Sequence, residues 1–369
     1  GLSLAYKIKA HPLLKEKSLL LIDPAEKNQN DRTWCFWSRD KDYFDDILYK
    51  TWDNILFASD EFIGEYNILP YQYKMIRGID FYRHVQSFLH SQPGVDFLKA
   101  SVSSFEEKDG EVHVHTSKSS YQSALVFKSF LDKQDFSGAH FVWQHFKGYV
   151  IETDVKAFDP DVASFMDFRV EQADETRFFY VLPFSEKKAL IEIAIFSNEL
   201  PDAKFYDPFL EAYISEKLGI ENYKIIEVEL GKIPMTTHSF KTGKAGPVIN
   251  IGTNAGSVKA SSGYAFKRIQ EETDTIIQYL AQDKILKYRP RNTRFHFYDK
   301  ILLNAILTGK ISGSDVFCCM FSKLKPQTVF AFLDEKGGFL NELKMFGAPP
   351  TKPFLKAFLE EFRKSIFGR

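Results

Sequence analysis

The residue best suited to chemistry in this sequence is Glu192, a carboxylate inside an apolar run. Residues 178–197 contain two apolar stretches around a polar break at 185–188, which predicts a β-hairpin. Side chains alternate along a strand, so the residues that share the face of Glu192 are Leu190, Ala194 and Phe196. Isoleucines take the other face, and we expect a buried strand in which desolvation raises the pKa of Glu192 and makes it a candidate proton donor. A Glu192 paired with a basic side chain, or exposed on an edge strand, is the alternative.

A second candidate is the pair Asp167 and Arg169, which alternates with apolar residues in the stretch 164–170. Strand periodicity places both charged side chains on one face and the apolar residues on the other. Two charges in this arrangement can simply bind each other. They can also orient a nearby acid.

A glycine- and serine-rich loop covers residues 253–264, between an apolar strand pattern at 248–252 and a helical pattern at 266–280. Backbone amides at a strand–loop–helix junction of this kind can cradle a phosphate. The loop residues that we expect at such a cofactor site are Gly252, Gly256, Ser257 and Val258.

The beginning of the chain has the pattern of part of a dinucleotide fingerprint. Residues 1–9 predict a short helix, and residues 18–23 predict a buried strand that ends in Asp23. In a dinucleotide fold, a carboxylate about twenty residues after the glycines holds the ribose hydroxyls. Asp23 takes that position if Gly1 is the last glycine of G-x-G-x-x-G. The sequence then starts inside the fingerprint, and we expect a chain without the earlier glycines to retain little cofactor.

Residues 30–37, Asn-Asp-Arg-Thr-Trp-Cys-Phe-Trp, combine charge with two tryptophans. Arg32 can contact a phosphate or a flavin oxygen, and the tryptophans can wall a ligand. A capping turn followed by a core strand is the alternative interpretation.

Composition sets the scale of the fold and excludes several classes of protein. With 369 residues, 44% of them hydrophobic, the chain can bury a large core and form two intertwined domains. A net charge of −1 argues against a nucleic-acid surface, and no metal-binding spacing is present among its three cysteines. The 36 Phe and 17 Tyr indicate a large apolar cavity, a membrane-contacting surface or a Phe-rich core.

Together these stretches resemble the flavin-dependent lycopene cyclases of carotenoid biosynthesis, of the bacterial β-cyclase type, with the N-terminus truncated. The resemblance covers nearly the whole chain and rests on the order and spacing of its motifs. These motifs are residues 30–37, 71–82, 144–148, 166–169, 180–183, 191–192, 233–235 and 252–270.

The resemblance implies a mixed α/β fold like that of the flavoprotein monooxygenases. Its expected parts are an FAD-binding Rossmann-like domain (1–37, 75–135 and 245–285), an inserted mixed β-sheet substrate domain (38–74 and 136–244) and a helical C-terminal region (286–369). The cofactor-binding residues would be those of the 252–258 loop together with Gly1, Asp23 and Arg32.

The resemblance also implies a reaction, in which an intramolecular lyase or isomerase converts the acyclic ends of lycopene to β-ionone rings, giving β-carotene by way of γ-carotene. FAD is held in its reduced form with NADPH as reductant, and the cyclisation is redox-neutral. The acid of the family falls on Glu192, and Asp167 and Arg169 lie near it. The expected location is cytoplasmic, peripherally attached to the inner membrane.

Two other classes of protein stay open from the sequence. One is a flavin-dependent oxidoreductase, a monooxygenase or an isoprenoid reductase, that acts on another apolar substrate. The other is a carotenoid or lipid carrier without catalytic activity.

Overall fold

A computed structural model of the protein describes residues 1–130, 136–240, 246–288 and 293–367. Within these residues the strands are β1 Leu19–Asp23, β2 Thr33–Ser38, β3 Lys50–Trp52, β4 Asn54–Ala58, β5 Ile63–Asn67, β6 Gln72–Arg77, β7 Val95–Lys99, β8 Val102–Lys108, β9 Glu111–Thr116, β10 Ser120–Ser123, β11 Val126–Lys128, β12 Phe141–Glu152, β13 Val162–Asp167, β14 Thr176–Ser185, β15 Lys188–Ser197, β16 Lys224–Thr236 and β17 Val248–Asn250. The α-helices are α1 Leu2–Ala10, α2 Gly78–His90, α3 Asp207–Ala212, α4 Phe266–Ala281, α5 Arg294–Leu307, α6 Gly313–Lys323, α7 Pro326–Leu333, α8 Phe339–Gly347 and α9 Thr351–Phe367.

The largest sheet has seven strands in the order β16-β12-β15-β14-β13-β4-β5. Its neighbours are antiparallel except for the parallel pair β13–β4. The hairpin predicted around residues 185–188 is confirmed, because β14 and β15 pair over their whole length and join there. These two strands lie in the middle of the sheet, so their backbone hydrogen bonds are satisfied on both sides.

Both faces of the sheet are buried at its central strands β14 and β15. One face, which we call the helical face, packs against the C-terminal helices and includes Leu190, Ala194 and Phe196. The opposite face packs against α3 and contains the isoleucines of β15. The predicted alternation is therefore confirmed. Each fully buried Ile or Leu side chain contributes about 1.5–3 kcal/mol, which makes this strand pair a main source of stability.

The Rossmann-like part of the chain forms two parallel strand pairs, β1 with β7 and β11 with β17. Helices α1 and α4 pack with them through apolar side chains such as Leu4, Ile8 and Ile276. Two small antiparallel sheets, β10-β9-β8 and β2-β6-β3, complete the strands. The sheet β2-β6-β3 contains residues from both sides of the expected domain boundaries at 37/38 and 74/75. The domain division therefore stays a prediction.

The helices α5 to α9 form the C-terminal region and close the helical face of the large sheet. Phe330 of α7 is fully buried and stacks on Trp37, with ring centroids 4.8 Å apart. An ionic cluster adds to this packing, since Lys259 contacts Asp299 of α5 at 2.9 Å and Glu335 after α7 at 3.1 Å. The helical region is thus joined to strand β2 and to the loop before α4.

We expect Phe330→Ala to lower the free energy of unfolding by about 3–5 kcal/mol, because it leaves a cavity between α7 and the sheet. Phe339→Ala is the matched control, since Phe339 is 71% exposed, and it should change stability by less than about 0.5 kcal/mol. Denaturant titration followed by tryptophan fluorescence measures both. Equal effects of the two substitutions would show that α7 does not hold the helical region on the sheet.

Candidate active site

Glu192 lies on the helical face of the large sheet, in the middle of β15. Its cross-strand neighbours are Gly148 on β12 and Tyr180 on β14. A Cβ atom at position 148 would stand 3.3 Å from Oε2 of Glu192 and 2.8 Å from Cδ1 of Leu190. The missing side chain of Gly148 therefore makes the space into which the carboxyl group of Glu192 extends.

Three tyrosine hydroxyls cluster on the same face. The hydroxyl of Tyr264 lies 3.3 Å from that of Tyr73 and 3.4 Å from that of Tyr180. The rings of Trp37 and Phe165 pack against this cluster, with the Trp37 centroid 4.5 Å from that of Tyr264. Burial raises the pKa of all three phenols, so they stay neutral. The site beside Glu192 is thus aromatic and carries hydroxyl groups without charge.

The pKa of Glu192 is raised well above its ordinary value. Burial is the main cause, because the surrounding groups solvate a carboxylate poorly, and the negative charge of Glu229 adds to it. The side chain keeps partial solvent contact, yet no donor in the described residues hydrogen-bonds to its carboxyl group. Glu192 can therefore hold a proton at a pH at which an exposed glutamate has lost it, as the sequence predicts.

Glu229 is a second carboxylate at this site, and the sequence analysis did not identify it. It pairs across the sheet with Gly148, and its two oxygens accept hydrogen bonds from the amide of Thr33 at 2.7 Å and from the hydroxyl of Thr33 at 2.6 Å. Glu229 belongs to the strand pattern of residues 224–236. Its position near Glu192 depends on the pairing of β12 with β16, which the sequence does not specify.

Asp167 and Arg169 lie on the opposite face of the sheet from Glu192. The Arg169 guanidinium donates to Asp167 at 2.9 and 2.6 Å, and the hydroxyl of Tyr213 donates to the same carboxylate at 2.7 Å. Tyr213 stacks on Phe179, whose cross-strand partner is Asp167. The structure thus brings the two residues to each other and not to Glu192. Strand periodicity predicts that they share a face, but it does not predict which face of the sheet that is.

The loop expected to hold a cofactor has its backbone donors bonded within the protein. The amide of Gly252 donates to Glu272 at 2.9 Å, and the hydroxyl of Ser257 donates to the same oxygen at 2.7 Å. The amides of Gly256 and Ser257 donate to Thr253 and Gly252. The predicted amide cradle is therefore used internally at these positions, and Val258 is half-buried beside them.

A cofactor could approach the backbone closely in this region, although the loop amides named above already have partners. Gly252 has a φ of 62°, and no atom lies within 4 Å of where its Cβ would be. At the end of β1, the carboxylate of Asp23 accepts a hydrogen bond from the amide of Ala25 at 2.8 Å, is half-exposed and lies 3.6 Å from Lys27. The amino group of Gly1 faces the carboxylates of Asp23 and Glu272. The structure therefore brings together Gly1 and Asp23, two of the residues predicted for the cofactor site. The carboxylate of Asp23 and the open side of Gly252 fit a ligand that carries hydroxyl groups and lies against the backbone.

Arg32 lies beside the second carboxylate, Glu229. Its guanidinium is bonded to Asp31 at 2.9 Å, and it faces Glu229. Its carbonyl accepts the amide of Gly78, whose Cβ would stand 2.9 Å from that oxygen. The residue thus forms part of the wall beside the second carboxylate.

The end of the loop is held against the large sheet. Gly263 has a φ of 74°, and a Cβ there would lie 1.8 Å from Oε1 of Gln144, one of the residues of β12 that share the face of Gly148. This contact places Tyr264, the next residue, in the tyrosine cluster. A single segment therefore connects the Gly252 end with the surroundings of Glu192.

Solved structures with a similar fold include a flavoprotein and an enzyme described as flavin-dependent. A flavoprotein/dehydrogenase from Cytophaga hutchinsonii matches at 11% identity and a TM-score of 0.60, over 98% of this chain and 96% of that one. The flavin-dependent brominase Bmp2 matches at 11% and 0.59, over 99% and 96%. A geranylgeranyl bacteriochlorophyll reductase-like protein from Thermoplasma acidophilum matches at 13% and 0.56, over 100% and 94%. The expected fold class is confirmed.

The family of the chain follows from its sequence as a whole. A search of curated protein sequences found no match. The family model described as "Lycopene cyclase protein" matches residues 1–358, which include Glu192, the tyrosine cluster and the Gly252 loop. The chain belongs to the lycopene cyclase family.

Proposed function

We propose that the protein converts the acyclic ends of lycopene to β-ionone rings, giving β-carotene by way of γ-carotene. The observation that carries this proposal is the carboxyl group of Glu192, which lies on an aromatic face with a raised pKa. Membership of the lycopene cyclase family supports the substrate. The reaction class is an intramolecular lyase or isomerase.

Protonated Glu192 is the general acid in this proposal. It transfers its proton to the terminal trisubstituted double bond, which leaves a tertiary carbocation on the substrate and a carboxylate on the enzyme. The neighbouring double bond attacks the cation and closes the ring, and loss of one proton from the ring forms its double bond. Atoms and charge balance without net oxidation, so the product is an isomer of the substrate.

The aromatic residues protect and stabilise the cation. Alkenes are weak bases and water captures carbocations, so the acid must work where water is excluded. Tyr180 is the cross-strand neighbour of the acid, the rings of Tyr264 and Trp37 lie next to it in the cluster, and the electron-rich faces of such rings attract a cation. Their hydroxyls stay protonated and do not act as competing bases.

The fold supports FAD as the cofactor. Asp23 would accept hydrogen bonds from ribose hydroxyls, and the open side of Gly252 would admit the cofactor against the backbone. When bound and reduced by NADPH, FAD supplies negative charge that stabilises a nearby cation. No net transfer of electrons to the substrate is required.

Membrane contact through α8 and α9 is part of the proposal, with the protein at the cytoplasmic side of the inner membrane. The exposed apolar side chains of these helices are Phe339, Leu340, Leu343, Phe346, Leu355, Phe358, Leu359, Phe362, Ile366 and Phe367. Exposed Lys352 and Lys356 lie among those of α9, as in helices that bind anionic interfaces. Among the described residues, none of the helices has the length and apolarity that crossing a bilayer needs.

We expect Glu192→Gln to lower turnover by about 10²–10⁴-fold, because the amide keeps the shape of the side chain but has no acidic proton. Flavin content should be unchanged, since no buried charge is left without a partner. The control is Asp167→Asn on the opposite face, which should cost less activity per bound flavin. Turnover is measured by chromatography of pigments. A Glu192→Gln enzyme close to wild type would end the assignment of the acid.

Deuterated water distinguishes cyclisation from reduction. With enzyme reduced beforehand, we expect one deuterium in each ring, because the proton of Glu192 exchanges with solvent, and no NADPH consumed per turnover. Mass spectrometry of the product measures the deuterium, and the absorbance of NADPH measures its consumption. A product with two additional hydrogens, or oxygen consumed per turnover, would indicate a flavin-dependent oxidoreductase instead, and an unchanged substrate spectrum would indicate a carrier.

Flotation with vesicles that contain anionic phospholipid tests the membrane surface. The double substitution Phe339→Ser and Leu340→Ser should lower the bound fraction at least about tenfold, because each buried large apolar side chain contributes about 1.5–3 kcal/mol. The matched control is Ile226→Ser with Val228→Ser on β16, two exposed apolar residues away from α8 and α9. Equal loss in both variants would contradict the assignment.

A further inference from the structure

Two carboxylates stand on the same face of the large sheet, on either side of one glycine. Gly148 pairs with Glu192 on one neighbouring strand and with Glu229 on the other. Neighbouring strands lie about 4.8 Å apart, so the two glutamate backbones are separated by roughly 10 Å. Because Gly148 has no side chain, Oε2 of Glu192 lies only 3.3 Å from the position that its Cβ would take, beside Cδ1 of Leu190.

The two carboxyl groups have different surroundings. Burial raises the pKa of Glu229, but the two hydrogen bonds from Thr33 and the guanidinium of Arg32 oppose that rise and favour its charged form. Glu192 accepts no hydrogen bond from the described residues and lies among aromatic rings. Glu229 therefore loses its proton first, and Glu192 keeps its own.

Within the part of the chain that the structure describes, the other titratable groups that face Glu192 are neutral in the same pH range. They are the thiol of Cys35 on β2, the phenol of Tyr180 on β14 and the phenol of Tyr264 before α4, and burial raises the pKa of each. Asp31 and Arg32, which face Glu229, are bonded to each other, so their charges largely compensate. The negative charge that acts on Glu192 is thus that of Glu229.

We propose that Glu229 is a positioning residue that keeps Glu192 protonated through its negative charge and so sets the upper pH limit of the reaction. This inference rests on the proposed role of Glu192 as the acid. Two carboxyl groups that share a buried site hold one proton between them more firmly than either would alone. The hydrogen bonds from Thr33 decide which of the two remains charged.

The sign of the expected change follows from this arrangement. The active form has Glu192 protonated, so activity is lost as the pH rises through the pKa of Glu192. Removal of the charge at position 229 lowers that pKa, and the alkaline limb of the pH profile moves to lower pH. Each unit of movement lowers the rate on the alkaline side about tenfold, while the rate at acid pH is retained.

The pH dependence of turnover in Glu229→Gln, with flavin and membranes present, tests the proposal. Glu227→Gln is the matched control, because Glu227 lies two residues along the same face of β16, is held by Asn30 at 2.8 Å and pairs with Val150. The limb should move in Glu229→Gln and stay in Glu227→Gln, and Glu229→Asp, which keeps the charge, should restore much of the wild-type profile. Glu229→Met removes the same charge if the glutamine variant does not fold.

Infrared titration gives a readout that needs neither substrate nor turnover. The stretching band of a protonated carboxyl group that disappears in Glu192→Gln belongs to Glu192, and it should titrate at lower pH in Glu229→Gln than in the wild type. The role of Glu229 would be overturned if neither the titration of the infrared band nor the alkaline limb of the pH profile moved in Glu229→Gln. An active Glu192→Gln enzyme would instead overturn the acid, and the infrared band would still decide whether Glu229 controls the proton of Glu192.

Discussion

The close approach of Glu192 to the backbone of Gly148 is the contact on which the site depends. A sheet that is buried on both faces normally fills each position with an apolar side chain, and a carboxyl group there has neither water nor space. At Gly148 the missing side chain supplies the space, and a Cβ would stand 3.1 Å from the Cβ of Glu192. Within the described residues the acid is thus largely withdrawn from water and has no cation as a partner, and both conditions favour its protonated form.

The large sheet separates two kinds of polar chemistry. On the helical face, Glu192 and the tyrosine cluster are surrounded by rings. On the opposite face, Asp167 is bonded to Arg169 and Tyr213, with each charge matched by a partner. The same sheet therefore supports, within the described residues, an acid without an ionic partner on one face and an ion pair with structural contacts on the other. Stability and reactivity come from opposite faces of one element.

Local patterns predicted the elements better than their assembly. The hairpin over 178–197, the face of Glu192 and the C-terminal helices follow from periodicity and apolar content, because burial imposes both. The position of Glu229 opposite Gly148 depends on the register between β12 and β16, and that register is set by contacts between residues about eighty positions apart. The side of the sheet taken by Asp167 likewise depends on tertiary packing.

The cofactor loop shows a further limit of sequence patterns. Glycine and serine content indicated amides that are free to bind phosphate, and the structure gives those donors internal partners. Glu272, which accepts the amide of Gly252 and the hydroxyl of Ser257, lies on α4 and outside the motif. Composition cannot identify a carboxylate that binds the donors of a loop, since this role depends on where the helix packs.

The contacts of Glu272 at one end of the loop and of Gln144 at the other also bear on the entropy of binding. Gly252 and Ser257 are fixed by hydrogen bonds, and Gly263 is fixed by close packing on β12. A segment that is ordered before its ligand arrives loses little conformational freedom when the ligand binds, which avoids about 0.5–1.5 kcal/mol for each side chain that would otherwise be immobilised. The loop is therefore preorganised, and the tyrosine that follows it is already placed beside the acid.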